Sequence, residues 1–182
     1  MVASSARAIQ RLALAAPAHA LALVPTLAPA RVGARAVHFI DIENLCGTSD
    51  VRLGQAQRAL RNYHDVVGVA VGDHIIVGAS HRNAIAAGTS WPGIRLLEPR
   101  SGPNGADRVL REAIRTERIA ERFTDVFLGS GDGGFAGDLA FLAERGATTH
   151  VVARRGHLSG RLRMAAHHVT TFTTLPVPRM SP

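Results

Sequence analysis

Residues 124–146 place the strongest constraint on how this chain folds. The stretch opens with the apolar run VFL, turns at the glycine-rich sequence GSGDGG, and resumes with apolar residues at helical spacing. This pattern predicts a buried strand, a tight turn and a helix. Asp132 stands in the turn, and in an open α/β sheet ligands bind just beyond the carboxyl ends of the strands. We therefore expect Asp132 to lie at a ligand-binding edge of the sheet.

From Ala36 onward, strand-type and helix-type patterns alternate. A helix is predicted after the glycine turn, and the other elements follow the same criteria. Strands are predicted at 36–41, 74–79, 93–97, 126–128, 150–153 and 168–172, and further helices at 53–64, 81–87, 106–122 and 161–166. Alternation with short connections is typical of a mostly parallel sheet that is covered on both faces. The predicted fold is thus a three-layer α/β/α sandwich.

Three aspartates occupy the ends of different predicted strands or the helices that follow them. Asp41 ends the first strand, Asp107 lies in the first turn of the helix after the third strand, and Asp132 follows the fourth strand. Right-handed crossovers bring these positions to one edge of the sheet, so we expect the carboxylates to converge. Converging carboxylates repel one another unless a cation neutralises them, and oxygen ligands favour Mg²⁺ or Mn²⁺.

The charge of the chain points to a polyanionic partner. Its 182 residues carry a formal net charge of +7, and the chain contains arginine but no lysine. Arginine binds phosphate oxygens bidentately, although we attribute about half of the preference over lysine to a GC-rich coding sequence. An acidic metal site in a basic protein is typical of an enzyme that binds a nucleic-acid backbone and hydrolyses it with metal-activated water.

Length and an apolar content of 46% predict one folded domain, over residues 36–173. Residues 1–35 are Ala-rich and are expected to form a poorly ordered extension of a cytoplasmic protein. The alternative is export, with residues 1–30 as a signal peptide. Residues 174–182 contain three prolines and predict a loose tail. No segment is long and apolar enough to predict a membrane span.

Three blocks of sequence carry a resemblance to a known family. FIDIENLCG at 39–47, GADRVL at 105–110 and GSGDGGF at 129–135 resemble, in order and spacing, the signature motifs of the NYN family of PIN-like ribonuclease domains. The resemblance covers about residues 36–172. It implies a PIN-like sandwich, metal-dependent endonucleolytic cleavage of RNA, and Asp41, Asp107 and Asp132 as metal ligands. It further implies that Asn44 orients the first aspartate or the substrate, and that Ser130 lies beside the metal or phosphate.

One position departs from the family pattern. The third block usually reads Ser-Gly-Asp-x-Asp-Phe, and Gly134 occupies its second acidic position. Asp138 lies one helical turn further on, so we expect it either to substitute through a water-bridged metal contact or to be an ordinary solvated residue. Glu43 likewise either joins the metal shell or faces water. Cys46, the single cysteine, is expected to be a small buried residue, with a catalytic thiol as the alternative.

Two groups of arginines are candidates for phosphate contacts. The first follows the fifth predicted strand, on the edge where the aspartates are expected, and the second flanks the loop before Asp107. The first group is Arg154, Arg155, Arg161 and Arg163, and the second is Arg100 and Arg108.

These features together predict a small metal-dependent endoribonuclease with RNA as its partner. The alternative is a catalytically weak RNA-binding module on the same fold, with Gly134 as its mark. A phosphatase would require an Asp-x-Asp motif, which Asp41-Ile42-Glu43 does not supply. Association with a second copy of the chain or with another protein is left open.

Overall fold

A computed structural model of the chain describes residues 35–173. The predicted tail and all of the predicted extension except Arg35 lie outside the described residues. Six strands form one parallel sheet in the order β3-β2-β1-β4-β5-β6. The strands are β1 (Ala36–Asp41), β2 (His74–Gly78), β3 (Arg95–Leu96), β4 (Asp125–Gly129), β5 (Thr148–Arg154) and β6 (His168–Phe172).

Helices connect successive strands. They are α1 (Ile42–Cys46), α2 (Leu53–Val67), α3 (Ala84–Gly88), α4 (Gly105–Thr116), α5 (Ile119–Arg122), α6 (Ala136–Ala143) and α7 (Gly160–Ala165), with single 3₁₀ turns at His81–Asn83 and Gly133–Phe135. Within residues 35–173, none of the helices is long and apolar enough to cross a membrane.

The two faces of the sheet bury separate apolar clusters. Along β1, Val37 and Phe39 join the cluster formed with α4, α5, α6 and α7. Ala36 and Ile40 alternate with them and join the cluster formed with α1, α2 and α3. This period-two alternation places a helical layer on each face and confirms the predicted three-layer sandwich.

The predicted helix over 106–122 is interrupted. Its first part, α4, ends at Thr116, and Arg118 adopts a left-handed conformation with a φ of 52° before α5 begins. The break directs Ile119 and Phe123 into the core, where both are buried. Apolar spacing alone did not reveal it, because both parts keep the same buried face. The short helix α1 was also not predicted.

Candidate active site

The order in which strands are added to the sheet reverses between β1 and β4. From β1 the chain adds β2 and β3 on one side, and β4, β5 and β6 on the other. In doubly wound sheets, ligands bind in the crevice at this switch point, outside the carboxyl ends of the strands. Ile40 of β1 pairs with Gly129 of β4, so Asp41 and Ser130 leave the sheet side by side in that crevice.

Asp41 is held rigidly at the end of β1. It is the N-cap of α1, and its Oδ1 accepts a hydrogen bond of 3.1 Å from the backbone N–H of Asn44. Its Oδ2 accepts a hydrogen bond of 3.3 Å from the hydroxyl of Ser130. Only 4% of Asp41 is exposed. The carboxyl group therefore has a fixed direction and little contact with water.

Close packing of α4 brings Asp107 to Asp41. Gly78, which pairs with Asp41 across the sheet, has no side chain to separate β2 from α4. A Cβ atom at this position would lie 2.8 Å from the carbonyl oxygen of Ala106. The first turn of α4 therefore lies directly over the strand ends, and the carboxyl groups of Asp107 and Asp41 form a hydrogen bond.

The pKa values of this pair are raised. Burial is the main cause of the rise in the pKa of Asp41 to about 8, and the negative charge of Asp107 adds to it. Burial is also the main cause of the raised pKa of Asp107; the hydrogen bond from Asp41 opposes that rise, and the charge of Asp132 supports it. Burial and mutual repulsion thus disfavour the state in which both carboxyl groups are ionised.

Asp132 completes the group of three. It is the N-cap of the 3₁₀ turn Gly133–Phe135, and its Oδ1 accepts a hydrogen bond of 2.7 Å from the backbone N–H of Gly134. Its side chain is exposed, in contrast to that of Asp41. The charge of Asp132 contributes to the raised pKa of Asp107, so Asp132 lies on the same edge of the sheet as the pair. Among residues 35–173, however, no three or more His, Cys, Asp or Glu side chains are already spaced to hold a metal ion.

Asn44 and Ser130 connect the two loops of the site. The Asn44 side-chain oxygen accepts a hydrogen bond of 2.9 Å from the backbone N–H of Gly131. The Ser130 hydroxyl accepts one of 3.2 Å from the backbone N–H of Asp132 while it donates to Asp41. Ser130 is fully buried, and its hydroxyl positions two aspartates, so it lies beside the carboxylates that are expected to hold the metal.

Glu43 is half-buried, and its charge acts on both Asp41 and Asp107. Its Oε1 accepts hydrogen bonds from the backbone N–H of Ser80, at 2.9 Å, and from the side-chain amide of Asn83, at 2.7 Å. Asn83 is fully buried and also binds Val51 N at 2.9 Å. Glu43 thus ties α1 to the loop after β2. No sequence signal singled out Asn83, which lies in an unremarkable polar segment.

The structure contradicts both expectations for Asp138. Its side chain is buried, not solvated. Each of its oxygens accepts a short hydrogen bond from an arginine of α4, Arg111 Nε at 2.7 Å and Arg115 Nε at 2.6 Å. Asp138 is therefore committed to an ion pair and is unsuited to replace the carboxylate absent at Gly134.

The predicted arginines differ in how they relate to this site. Arg154 ends β5, and its guanidinium packs over Gly47, where a Cβ atom would lie 2.1 Å from Nη1. Within residues 35–173, its buried Nε has no hydrogen-bond partner. Arg161 lies near the glycine turn, because a Cβ at Gly133 would be 3.9 Å from the Arg161 Cβ.

The remaining predicted arginines are exposed. Arg155 and Arg163 belong to the same loop and helix, and Arg108 lies on α4. Arg100 forms a salt bridge of 2.7 Å with Glu112. The carboxylates are thus bordered by basic side chains on the β5 side and on the α4 side.

Cys46 does not have the properties of a catalytic thiol. Burial raises the pKa of its thiol to about 11, although the nearby charge of Arg154 opposes the shift. The thiol is therefore protonated at neutral pH, and it packs against the apolar cluster beside α2.

Comparison with known proteins bears on the fold. No family model matches the chain, and no curated protein sequence matches it. A crystal structure of a protein of unknown function from Vibrio parahaemolyticus is similar, with a TM-score of 0.50 and 17% sequence identity. The match covers 76% of this chain and 92% of that chain. At this level of identity the likeness shows a shared fold.

Proposed function

We propose that the protein is a metal-dependent endoribonuclease of the cytoplasm whose site is formed by Asp41, Asp107 and Asp132. The observation that carries the proposal is the close pair Asp41 and Asp107, with the charge of Asp132 acting on it, at the switch point of a doubly wound sheet in a chain of net charge +7. The three sequence blocks that resemble NYN-family motifs contain the same aspartates. An acidic site in a basic protein suits a phosphodiester substrate.

The donor atoms of the site suit a hard divalent cation. Burial and mutual repulsion raise the pKa values of Asp41 and Asp107, and a bound cation would relieve that repulsion. The donor atoms are carboxylate oxygens, which Mg²⁺ and Mn²⁺ prefer. A bound ion of this type lowers the pKa of water and stabilises the charge that develops on a phosphodiester.

The chain itself supplies position and charge. Asn44 N and the Ser130 hydroxyl fix the direction of the Asp41 carboxylate. The exposed Asp132 borders the path by which a phosphate reaches the buried pair. Arg154, whose Nε lacks a partner within the described part of the chain, provides a positive charge at the same edge.

Replacement of Asp132 by Asn tests the proposal. Asp132→Asn should abolish Mn²⁺-dependent cleavage of single-stranded RNA, since it removes a ligand. It should leave RNA affinity equal or higher, since it also removes a repulsive charge near the phosphates. Asp65→Asn is the matched control, because Asp65 is an exposed aspartate of α2 and its loss should change neither property. Normal cleavage by Asp132→Asn would remove this aspartate from the catalytic site.

The second candidate function is an RNA-binding module without catalysis. It is favoured by Gly134, which leaves one carboxylate fewer than the family pattern, and by the engagement of Asp138 with arginines. If the wild-type protein binds RNA but cleaves none with Mg²⁺ or Mn²⁺, this second function replaces the first.

A further inference from the structure

A buried carboxylate holds two arginines side by side between α4 and α6. Arg111 and Arg115, one helical turn apart on α4, each use Nε to donate to a different oxygen of Asp138. The Asp138 side chain is 1% exposed, whereas Arg111 and Arg115 remain 48% and 42% exposed. The three residues therefore form a cluster with its negative charge inside and its positive charges at the surface.

This cluster contains more positive charge than the ion pair requires. One guanidinium neutralises one carboxylate, and Asp138 has two. A third guanidinium, that of Arg145, lies 3.7 Å from the ring centroid of Phe141, and that of Arg115 lies 4.4 Å from the same centroid. Two arginines thus pair with one buried aspartate, a third shares the Phe141 ring with Arg115, and the surplus charge faces solvent.

The guanidiniums are also fixed in direction. Arg115 donates to Asp138 through Nε and to the Gly137 carbonyl through Nη2, at 2.9 Å. Arg111 donates to Asp138 through Nε, and its side chain remains about half exposed. Arginines that are already ordered lose less side-chain entropy when they bind an anion. Planar guanidiniums held in this way match the geometry of phosphate oxygens.

The cluster is continuous with the candidate active site. Arg111 follows Asp107 by four residues and therefore lies one turn further along the same face of α4. Its positive charge makes a small contribution that opposes the rise in the pKa of Asp107. An RNA backbone that passes the aspartates would therefore bring one of its next few phosphates to the cluster.

We propose that Arg111 and Arg115, positioned by Asp138, bind backbone phosphates of single-stranded RNA beside the carboxylate site. The RNA then runs from the aspartates across the α4–α6 face, and Asp138 is a positioning residue instead of a metal ligand. The assignment of RNA rests on the proposed function, but binding does not require cleavage. Arg154 packs beside the end of α1, on one face of the sheet. The cluster lies on the other face, with α4 and α6, so basic side chains border the site on both faces.

The test measures binding in the absence of divalent metal. Fluorescence anisotropy with a labelled single-stranded RNA oligonucleotide, at a series of salt concentrations, gives affinity and its salt dependence. Arg111→Ala and Arg115→Ala should each weaken binding about tenfold and lower the salt slope by about 0.7, the value for one phosphate contact on a single strand. Arg61→Ala is the matched control, an exposed arginine on α2 across the sheet, and should change neither.

Two further variants separate a positioned site from diffuse charge. Arg111→Lys keeps the charge and an ion pair with Asp138 but loses the planar fork, so it should bind RNA nearly as weakly as Arg111→Ala. Asp138→Asn adds one unit of net positive charge, so diffuse attraction predicts tighter binding and a positioned site predicts weaker binding. Circular dichroism checks folding, and Arg111→Lys decides the matter if Asp138→Asn does not fold.

The outcomes distinguish this proposal from the proposed function. If the wild type cleaves RNA and Arg111→Ala and Arg115→Ala bind normally, the arginine site is overturned and the nuclease remains. If no metal supports cleavage but both variants bind weakly, the nuclease is overturned and the arginine site remains. Wild-type affinity in Arg111→Lys, or tighter binding by Asp138→Asn, would overturn the positioning role. Failure of the wild type to bind RNA overturns both proposals.

Discussion

Replacement of Asp41 by Asn should make the metal-free protein more stable at neutral pH. In the folded protein the pKa of Asp41 is raised from 3.8 to about 8, mainly because the carboxyl group is buried. The unfolded chain therefore loses this proton at lower pH than the folded chain does. The contribution of this carboxyl group to the free energy of unfolding is fully present below pH 3.8. It declines as the pH rises toward 8, because over this range only the unfolded state gains from ionisation.

The size of the effect follows from the shift. One pKa unit corresponds to about 1.4 kcal/mol, so by pH 7 the shift destabilises the fold by at most about 4 kcal/mol. Asn at position 41 has no proton to lose, and it retains an acceptor for Asn44 N and a donor for Asp107. The Ser130 hydroxyl then loses its acceptor, and this loss reduces the gain in stability by about 1 kcal/mol. We expect a net gain of about 1–3 kcal/mol at pH 7 and none at pH 4.

Urea unfolding followed by far-UV circular dichroism, with EDTA present, measures this difference between pH 4 and pH 8. The wild-type free energy of unfolding should fall with pH more steeply than that of Asp41→Asn, by up to about 1.4 kcal/mol per pH unit. Mn²⁺ should stabilise the wild type at pH 7 and have much less effect on the variant. Parallel curves for the two proteins would show that Asp41 is not protonated in the fold and would refute the reasoning.

Three further predictions concern the glycine turn and the basic border. Gly134→Asp should raise cleavage at low Mn²⁺ concentration, since it adds a carboxylate whose Cβ would lie 3.3 Å from Asp132 Oδ1. Cleavage rates measured over a range of Mn²⁺ concentrations check this. Equal activity of Gly134→Asn would show that the added charge is not the cause. Gly131→Ala should lower the free energy of unfolding by about 1–3 kcal/mol, because its Cβ would lie 1.9 Å from the His157 carbonyl oxygen. In the same urea experiment Gly160→Ala, with nothing within 4 Å of its Cβ, should show no loss. Arg154→Ala should lower the salt slope of RNA binding by about 0.7, and an unchanged slope, as expected for Arg61→Ala, would exclude Arg154 from the interface.

Local sequence patterns determined most of the fold. The ends of β1 and β6 agree with their predicted bounds, since their residues combine strand-type composition with clear limits. The alternation of strands and helices was sufficient to predict a parallel sheet with two helical layers. It also placed Asp41, Asp107 and Asp132 on one edge of the sheet, because the carboxyl ends of parallel strands share one edge.

Tertiary structure alone decided which partner each polar side chain has. Asp138 and Arg111 are 27 residues apart, and Glu43 and Asn83 are 40 apart, so no local period relates the members of either pair. Periodicity reports which face of an element is buried, and it predicts solvent for a charged residue unless a partner is known. Asp138 is buried because two arginines of α4 reach it across the α4–α6 contact. That pairing depends on how α4 and α6 pack against each other, and local sequence patterns do not give the packing of two separate helices.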